Sequence, residues 1–294
     1  MIKQISVMEE DWDYLIVLDA CRYDYFSKLY KNYLNGELEK VISPSSWTPD
    51  WCKVSFKDKY DDVIYISANP YINSKVEIKG FNAKNHFYKI IDVWNEGWSE
   101  ELGSIHPNEV NKAVKTVRDK YPDKRLIIHY LQPHEPYLCY NLKIGYPKPK
   151  LNLGKVLVGI NKRKENKVLT FRETLLKDIF LNILRALGNQ FIGKYRKSII
   201  DLRIRKLLNL PPINPMDAVQ RVVGDIGLRK LYIENLKIVL KYVSELVKDL
   251  NGIIIITSDH GELLGEDGNY CHGPGIPRSN PFLMEIPWLK ITNE

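Results

Sequence analysis

The sequence predicts an α/β fold: a three-layer αβα arrangement with a mainly parallel central sheet, carrying a basic helical insertion. Three observations lead there. Short β-branched runs alternate with helical patterns of ten or more residues, as expected of βαβ units and a sheet covered on both faces. The chain has 294 residues, 44% of them hydrophobic and 27% charged, which is enough apolar material for one large domain or two modest ones and excludes disorder as the main state. Charge is also segregated. Between 143 and 209, 17 Lys and Arg stand against 4 Asp and Glu, a surplus of 13 that exceeds the whole chain's +7 and leaves the remainder at −6.

Taken in order, YLIVLD (14–19) reads as a buried strand, followed by a helix over Tyr23 to Leu34 that stops at Gly36. Val41 and Ile42 form a strand end that opens into SPSSWTPDW (43–51), after which Trp51 to Lys57 can make a helix. DVIYIS (62–67) is a third strand. A helix over His106 to Tyr121 enters through Pro107 and aligns Val110, Ala113, Val114 and Val117 on one face. RLIIHYL (125–131) is a strand ending in a Pro-rich loop. Leu228 to Leu250 is a long helix with an apolar stripe at Leu231, Leu236, Val239, Leu240, Val243 and Val247; it closes on Asn251-Gly252 and the strand Ile253 to Thr257 begins at once. Between Tyr140 and Pro215 the pattern changes to a Lys-rich loop and helices over Leu175 to Leu187 and Tyr195 to Leu208. The expected division is a catalytic domain over 1–142 and 216–294, with an insertion or cap over 143–215.

The longest apolar run, Gly252 to Thr257, falls far short of the roughly 20 residues a bilayer-spanning helix needs. MIKQISVMEEDWDY lacks the apolar stretch of an export signal, and Cys21, Cys52, Cys139 and Cys271 form no C-x-x-C pair, so reduced structural cysteines and a cytoplasmic address are expected. Confinement of the basic charge to one segment argues against a protein that follows nucleic acid over its whole surface. Residues 171–210 interleave Leu, Ile and Phe with Lys and Arg; they read either as amphipathic helices on an anionic membrane surface or as a solvated cap.

In open parallel sheets the reactive groups gather beyond the carboxyl ends of the strands. One strand there ends in Asp19, another runs into Ser43, Ser45, Ser46 and Thr48, a third into Gln132 and His134, and a fourth into Ser258, Asp259 and His260. Taken singly, an Asp after a strand or a Ser/Thr run before a helix is an ordinary cap or turn. Asp259 and His260 side by side after an apolar strand are harder to dismiss, since both would be costly to desolvate unless something charged binds them. A divalent cation is the economical partner. Aspartate with histidine suits zinc or manganese, and Asp19 with the Thr48 hydroxyl would complete a mixed oxygen and nitrogen shell.

The blocks LIVLDACRYDYF (15–26), SPSSWTPDW (43–51), YLQPHEPY (130–137), YIENL (232–236), TSDHGELLGEDGNYCHG (257–273) and IPW (286–288) resemble the sulfatase-like branch of the alkaline phosphatase superfamily, which includes phosphonate monoester hydrolases and phosphoglycerol transferases. The resemblance implies one or two metal ions per chain, with Asp19, Asp259 and His260 as ligands and the nucleophile in the inner position. Thr48 is the expected nucleophile, because related motifs place a hydroxyl or thiol residue shortly before a proline, although the usual spacer between them is missing here; Ser46 is the runner-up. His134 and His272 resemble the substrate-side histidines, contacting the transferring group or protonating the leaving oxygen; in two-metal members one such histidine is a ligand instead. Arg22 can hold a nonbridging oxygen or, alternatively, pair with Asp24 or Asp19.

The expected activity is metal-dependent hydrolysis or transfer of a phosphate mono- or diester through a covalent phospho-enzyme. Expected partners are phosphorylated or sulfated small molecules, glycans or lipid-linked substrates. A sulfate-ester hydrolase is the first alternative. It is disfavoured because neither Cys21 nor Cys52 lies in the C-x-P-x-R motif from which aldehyde-forming sulfatases make their nucleophile. A catalytically decayed polyanion- or nucleic-acid-binding protein is the second. No P-loop or G-x-G-x-x-G follows any strand.

Overall fold

The computed structural model of the chain describes residues 2–140, 212, 214–273 and 280–294. The expected insertion over 143–215, its helices over 175–187 and 195–208 and the amphipathic stretch over 171–210 fall almost wholly outside the described residues.

The elements run β1 (Tyr14–Leu18), α1 (Tyr23–Leu29), β2 (Glu37–Ile42), α2 (Thr48–Ser55), β3 (Tyr60–Ser67), β4 (Phe87–Asp92), α3 (Val93–Glu96), β5 (Trp98–Ser99), β6 (Ser104–Ile105), α4 (Pro107–Lys120), β7 (Arg125–Tyr130), α5 (Pro215–Val247), β8 (Gly252–Thr257), β9 (Leu263–Glu266), β10 (Asn269–Cys271), α6 (Pro281–Met284) and β11 (Glu285–Asn293). Seven strands form one sheet in the order β2-β11-β8-β1-β7-β3-β4. The pairs β8-β1, β1-β7, β7-β3 and β3-β4 are parallel, whereas β11 lies antiparallel between β8 and β2. The fold is the mixed three-layer α/β arrangement that the sequence predicts.

Alternate residues of each inner strand face opposite layers, because side chains on a strand repeat with period two. Ile16 and Leu18 of β1, with Ile64, Ile66, Leu126, Ile128, Ile254 and Ile256, pack on one side against Phe26 of α1, Val110 and Val114 of α4, and Leu236, Val239 and Val243 of α5. On the other side Leu15, Val17, Tyr65, Ile127 and Ile255 pack against Trp51 and Cys52 of α2 and against Trp12. Full burial on both faces explains the unbroken Ile/Val/Leu composition, each such side chain contributing roughly 2 kcal/mol.

Several elements differ from expectation: α1 ends at Leu29 and not Leu34, α2 starts at Thr48 and not Trp51, and the edge strand β4 was not anticipated. The long helix starts at Pro215, not Leu228, with Asn214 capping it by accepting from the Asp217 N–H. The chain continues across a kink at Gly224 (φ 67°, ψ −177°), a conformation open to glycine. Strand β2 begins at Glu37, four residues before Val41, its outer residues exposed. Strand β11 was not anticipated. Its Ile286, Trp288 and Leu289 are buried on pairing with β8 and β2, and this late antiparallel strand closes the sheet beside the DHG segment.

Candidate active site

The site lies at the carboxyl ends of four adjacent strands, β8, β1, β7 and β3. Strand β1 delivers Asp19 and then turns through Ala20 (φ 59°). The turn is tied to the end of β8: the Ala20 N–H donates to Asp259 Oδ1 (3.1 Å), and the Cys21 N–H to the Ser258 hydroxyl (2.8 Å), which donates in turn to the Leu18 carbonyl (2.7 Å). The Tyr232 hydroxyl of α5 accepts from the Arg22 N–H and donates to the Ala20 carbonyl, which anchors the same turn from the helical layer. Gly261 follows His260 because no larger residue fits. A Cβ there would lie 2.0 Å from the Phe282 carbonyl oxygen.

Asp19, Thr48, Asp259 and His260 come together, all nearly or fully buried. Each carboxylate has one oxygen anchored and one presented. Asp259 Oδ1 accepts from the Ala20 and His260 N–H groups, while Oδ2 lies 2.6 Å from Thr48 Oγ1 and 3.3 Å from His260 Nε2. Asp19 Oδ2 accepts from Asn69 Nδ2 at 2.5 Å, while Oδ1 has no hydrogen-bond partner and faces His260 Nε2 at 3.8 Å. His260 Nδ1 lies 2.8 Å from the Gly261 carbonyl, to which it donates; that leaves Nε2 bare. Thr48 Oγ1 is 3.3 Å from that nitrogen. Thr48 is the first residue of α2. The capping position belongs to Trp47, so the Thr48 hydroxyl is not spent as a cap.

Four ligand-type atoms therefore converge: Asp19 Oδ1, Thr48 Oγ1, Asp259 Oδ2 and His260 Nε2. Among the described residues no Lys or Arg pairs with either aspartate, and an unpaired buried carboxylate oxygen costs several kcal/mol. The donor set and the orphaned Oδ1 fit a divalent cation. Burial alone would raise the Asp19 carboxyl, but His129, whose Nε2 lies 3.5 Å from Oδ2, and the charges of His134 and His260 hold it well below the usual carboxylate range. His260 is pushed down by burial, which keeps the imidazole neutral as a ligand must be.

Ser46 is buried, but the hydroxyl that hydrogen-bonds to the Asp259 carboxylate is that of Thr48. His134 and His272 lie next to the seat on its less buried side. Their rings are 5.1 Å apart, and the His272 ring is 4.2 Å from that of His260. The fully buried Glu262 joins them, both its oxygens 3.1 Å from His272 Nδ1, and one ligand atom from each of His134, Glu262 and His272 falls within 4.8 Å of the others. Burial lowers His134, but Glu135, Asp19 and Glu262 more than reverse this and raise it to about 9. His272 goes down to about 4 through burial and the neighbouring His134, and burial takes Glu262 up to about 7. Arg22 turns elsewhere. Its guanidinium pairs with both oxygens of Asp24 and with Glu266 and donates to the Glu262 carbonyl, between the rings of Tyr25 and Phe282, so the ion-pair alternative is the one the structure shows.

Sequence reasoning missed Asn69, His129 and Glu262. Asn69 follows β3, and Asn-Pro reads as a turn; its Oδ1 does accept the Tyr71 N–H, which aims Nδ2 at Asp19. His129 interrupts the apolar run of RLIIHYL with an imidazole, the signal that could have found it. Glu262 stood in view within the DHGE block.

Comparison by sequence finds no matching family model and no matching curated protein. Comparison of structures finds this fold in solved phosphoethanolamine transferase domains. The soluble domain of lipooligosaccharide phosphoethanolamine transferase A from Neisseria meningitidis matches with a TM-score of 0.53 at 15% identity, over 96% of this chain and 76% of that one. The C-terminal periplasmic domain of phosphoethanolamine transferase EptC from Campylobacter jejuni matches with a TM-score of 0.51 at 16% identity, over 100% of this chain and 84% of that one. The corresponding periplasmic domain of EptC from Escherichia coli, in complex with zinc, matches with a TM-score of 0.50 at 13% identity, over 100% and 78%. These neighbours overturn the cytoplasmic expectation, since two of them are periplasmic domains. The reason is physical: an αβα catalytic fold carries no cellular address in its core, and four scattered cysteines are compatible with either compartment. No helix among the described residues is long and apolar enough to cross a membrane.

Proposed function

We propose that this chain is a metal-dependent phosphoric ester transferase or hydrolase in which Thr48 is the nucleophile. One observation carries the reading: Thr48 Oγ1 sits 2.6 Å from Asp259 Oδ2 and 3.3 Å from His260 Nε2, beside the partnerless oxygen of Asp19. Asp19, Thr48, Asp259 and His260 would hold a divalent cation, zinc or manganese by their chemistry. When bound there, such an ion supplies Lewis acidity toward the Thr48 hydroxyl and the transferring group.

The chain's own groups perform the rest. The Thr48 hydroxyl donates to Asp259 Oδ2, which orients its lone pairs, and its proton is released to solvent as Oγ1 attacks phosphorus. The Oγ1–P bond forms as the ester P–O bond breaks, and the leaving oxygen needs a proton. His134, raised to about 9, carries one at neutral pH and is the general acid we assign. In the second half water or an alcohol attacks the phosphothreonine, with the neutral His134 accepting the proton and Thr48 recovering its hydroxyl. His272 and His134 line the less buried approach and would contact the nonbridging oxygens. A lipid-linked acceptor is the substrate class we favour. It is supported by the fold neighbour that acts on lipooligosaccharide and by the basic surplus of 143–209, which suits an anionic surface.

The test is capture of the covalent state. Protein loaded with zinc or manganese and pulsed with a chromogenic phosphodiester is expected to yield a phosphorylated peptide containing Thr48, identified by mass spectrometry. Thr48→Ala should lose the modification and about 10³-fold or more of turnover, while Ser46→Ala keeps both. Modification of Ser46 instead, or turnover untouched by Thr48→Ala, refutes the assignment.

A further inference from the structure

His129 and Tyr65 are polar groups in the middle of an apolar sheet layer, and the chemistry above leaves both unused. Both side chains are fully buried. His129 lies on β7 and Tyr65 on β3, two adjacent parallel strands, with Tyr65 OH 2.7 Å from His129 Nδ1. Trp51 of α2 closes the third side, its ring 6.3 Å from the imidazole in an edge arrangement. That enclosure leaves no route for substrate. The other ring nitrogen, Nε2, has no hydrogen-bond partner, and its nearest carboxylate oxygen is Asp19 Oδ2 at 3.5 Å. A phenol and an imidazole placed here cost burial energy that only a polar task offsets.

The two oxygens of Asp19 show what that task is. Oδ2 meets Asn69 Nδ2 and faces His129, whereas Oδ1 has no partner and faces His260. A Tyr65 hydroxyl donating to Nδ1 puts the imidazole proton on Nε2, the ring nitrogen 3.5 Å from Oδ2. We infer that Tyr65 and His129 form a positioning relay that holds Asp19 by Oδ2 and so turns Oδ1 toward the cation seat. His129 is a positioning residue here, not a ligand. The inference rests on the cation reading of the preceding section. Outer groups that orient a metal ligand typically affect affinity 10- to 100-fold.

The experiment titrates cobalt(II) into the full chain, following its visible bands and measuring affinity by competition with a chromophoric chelator. Tyr65→Phe removes a single hydroxyl and should weaken affinity about 10-fold. His129→Ala should weaken it by up to about 100-fold, and His129→Gln, whose amide can still donate toward Oδ2, should recover most of the loss. Band positions should stay constant throughout, because the ligand set does not change. If Tyr65→Phe and His129→Ala bind cobalt as tightly as the parent while melting normally, the relay is wrong. A shifted, weakened spectrum in His129→Ala with Tyr65→Phe unaffected makes His129 a ligand and also overturns it. Should His129→Ala not fold, Tyr65→Phe decides alone. If the parent itself binds no cobalt, or Asp259→Ala binds it unchanged, the cation seat fails, and the relay with it.

Discussion

Glu262 illustrates how position in the fold, more than residue type, sets chemistry at the scale of one side chain. It is wholly buried beside His272 and His134, and burial carries its carboxyl from the usual 4.5 to about 7. The folded state thus holds this proton more tightly than the unfolded chain does. In metal-free protein kept under chelator, the stability contributed by protonated Glu262 is complete below about pH 4.5 and is lost as pH rises toward 7. Glu262→Gln cannot ionise. Its unfolding free energy, followed by denaturant titration across that window, should fall less with rising pH than that of the parent. Parallel curves would mean that Glu262 is ionised throughout and that its neighbours neutralise it. His134 shows the opposite outcome at a short distance, because its surrounding carboxylates outweigh the same burial.

Between one element and the next, the site depends on junctions. Asp259 and His260 leave β8 and must pass β11 and α6 before the chain reaches Glu262, and Gly261 makes that passage possible. Its N–H donates to the Leu283 carbonyl at 2.8 Å, and a Cβ would overlap the Phe282 carbonyl. Gly261→Ala is therefore expected to cost about 3 kcal/mol in stability and to displace His260, so that calorimetry shows both a lower melting temperature and a weaker response to added zinc. A substituted protein that melts and responds like the parent would show that the α6 backbone yields easily. The same junctions mark what was legible in the sequence. Strands β1, β3, β7 and β8 could be read because each carries a run of apolar residues buried on both faces. Strand β11 could not, since its pattern is interrupted by Pro287 and Lys290, and its place is set by pairing with β2 and β8, remote in sequence. Asp19, Thr48, Asp259 and His260 were legible as residues that follow strands. Asn69 and His129 were not, because an Asn-Pro turn and a single His in a strand acquire meaning only when β3 and β7 are laid beside β1.

For the molecule as a whole, the seat joins segments that are far apart in the chain. Asp19, Thr48 and the Asp259-His260 pair come from β1, the start of α2 and the end of β8, so a cation bound to all of them stabilises only the folded state. At a free concentration 100 times its dissociation constant, such an ion adds about 2.7 kcal/mol. For a chain of this size that is a rise of roughly 4–5 °C in melting temperature. The sign follows from the unfolded chain, in which these four groups are separated and cannot bind together. Asp259→Asn isolates the effect, because the amide keeps an oxygen to accept the Ala20 and His260 N–H groups while its other end no longer offers a carboxylate. Differential scanning calorimetry with and without zinc should show the rise in the parent and little or none in Asp259→Asn. Equal rises in both proteins would place zinc elsewhere, and the histidines and Glu262 on the less buried side would be the next place to look.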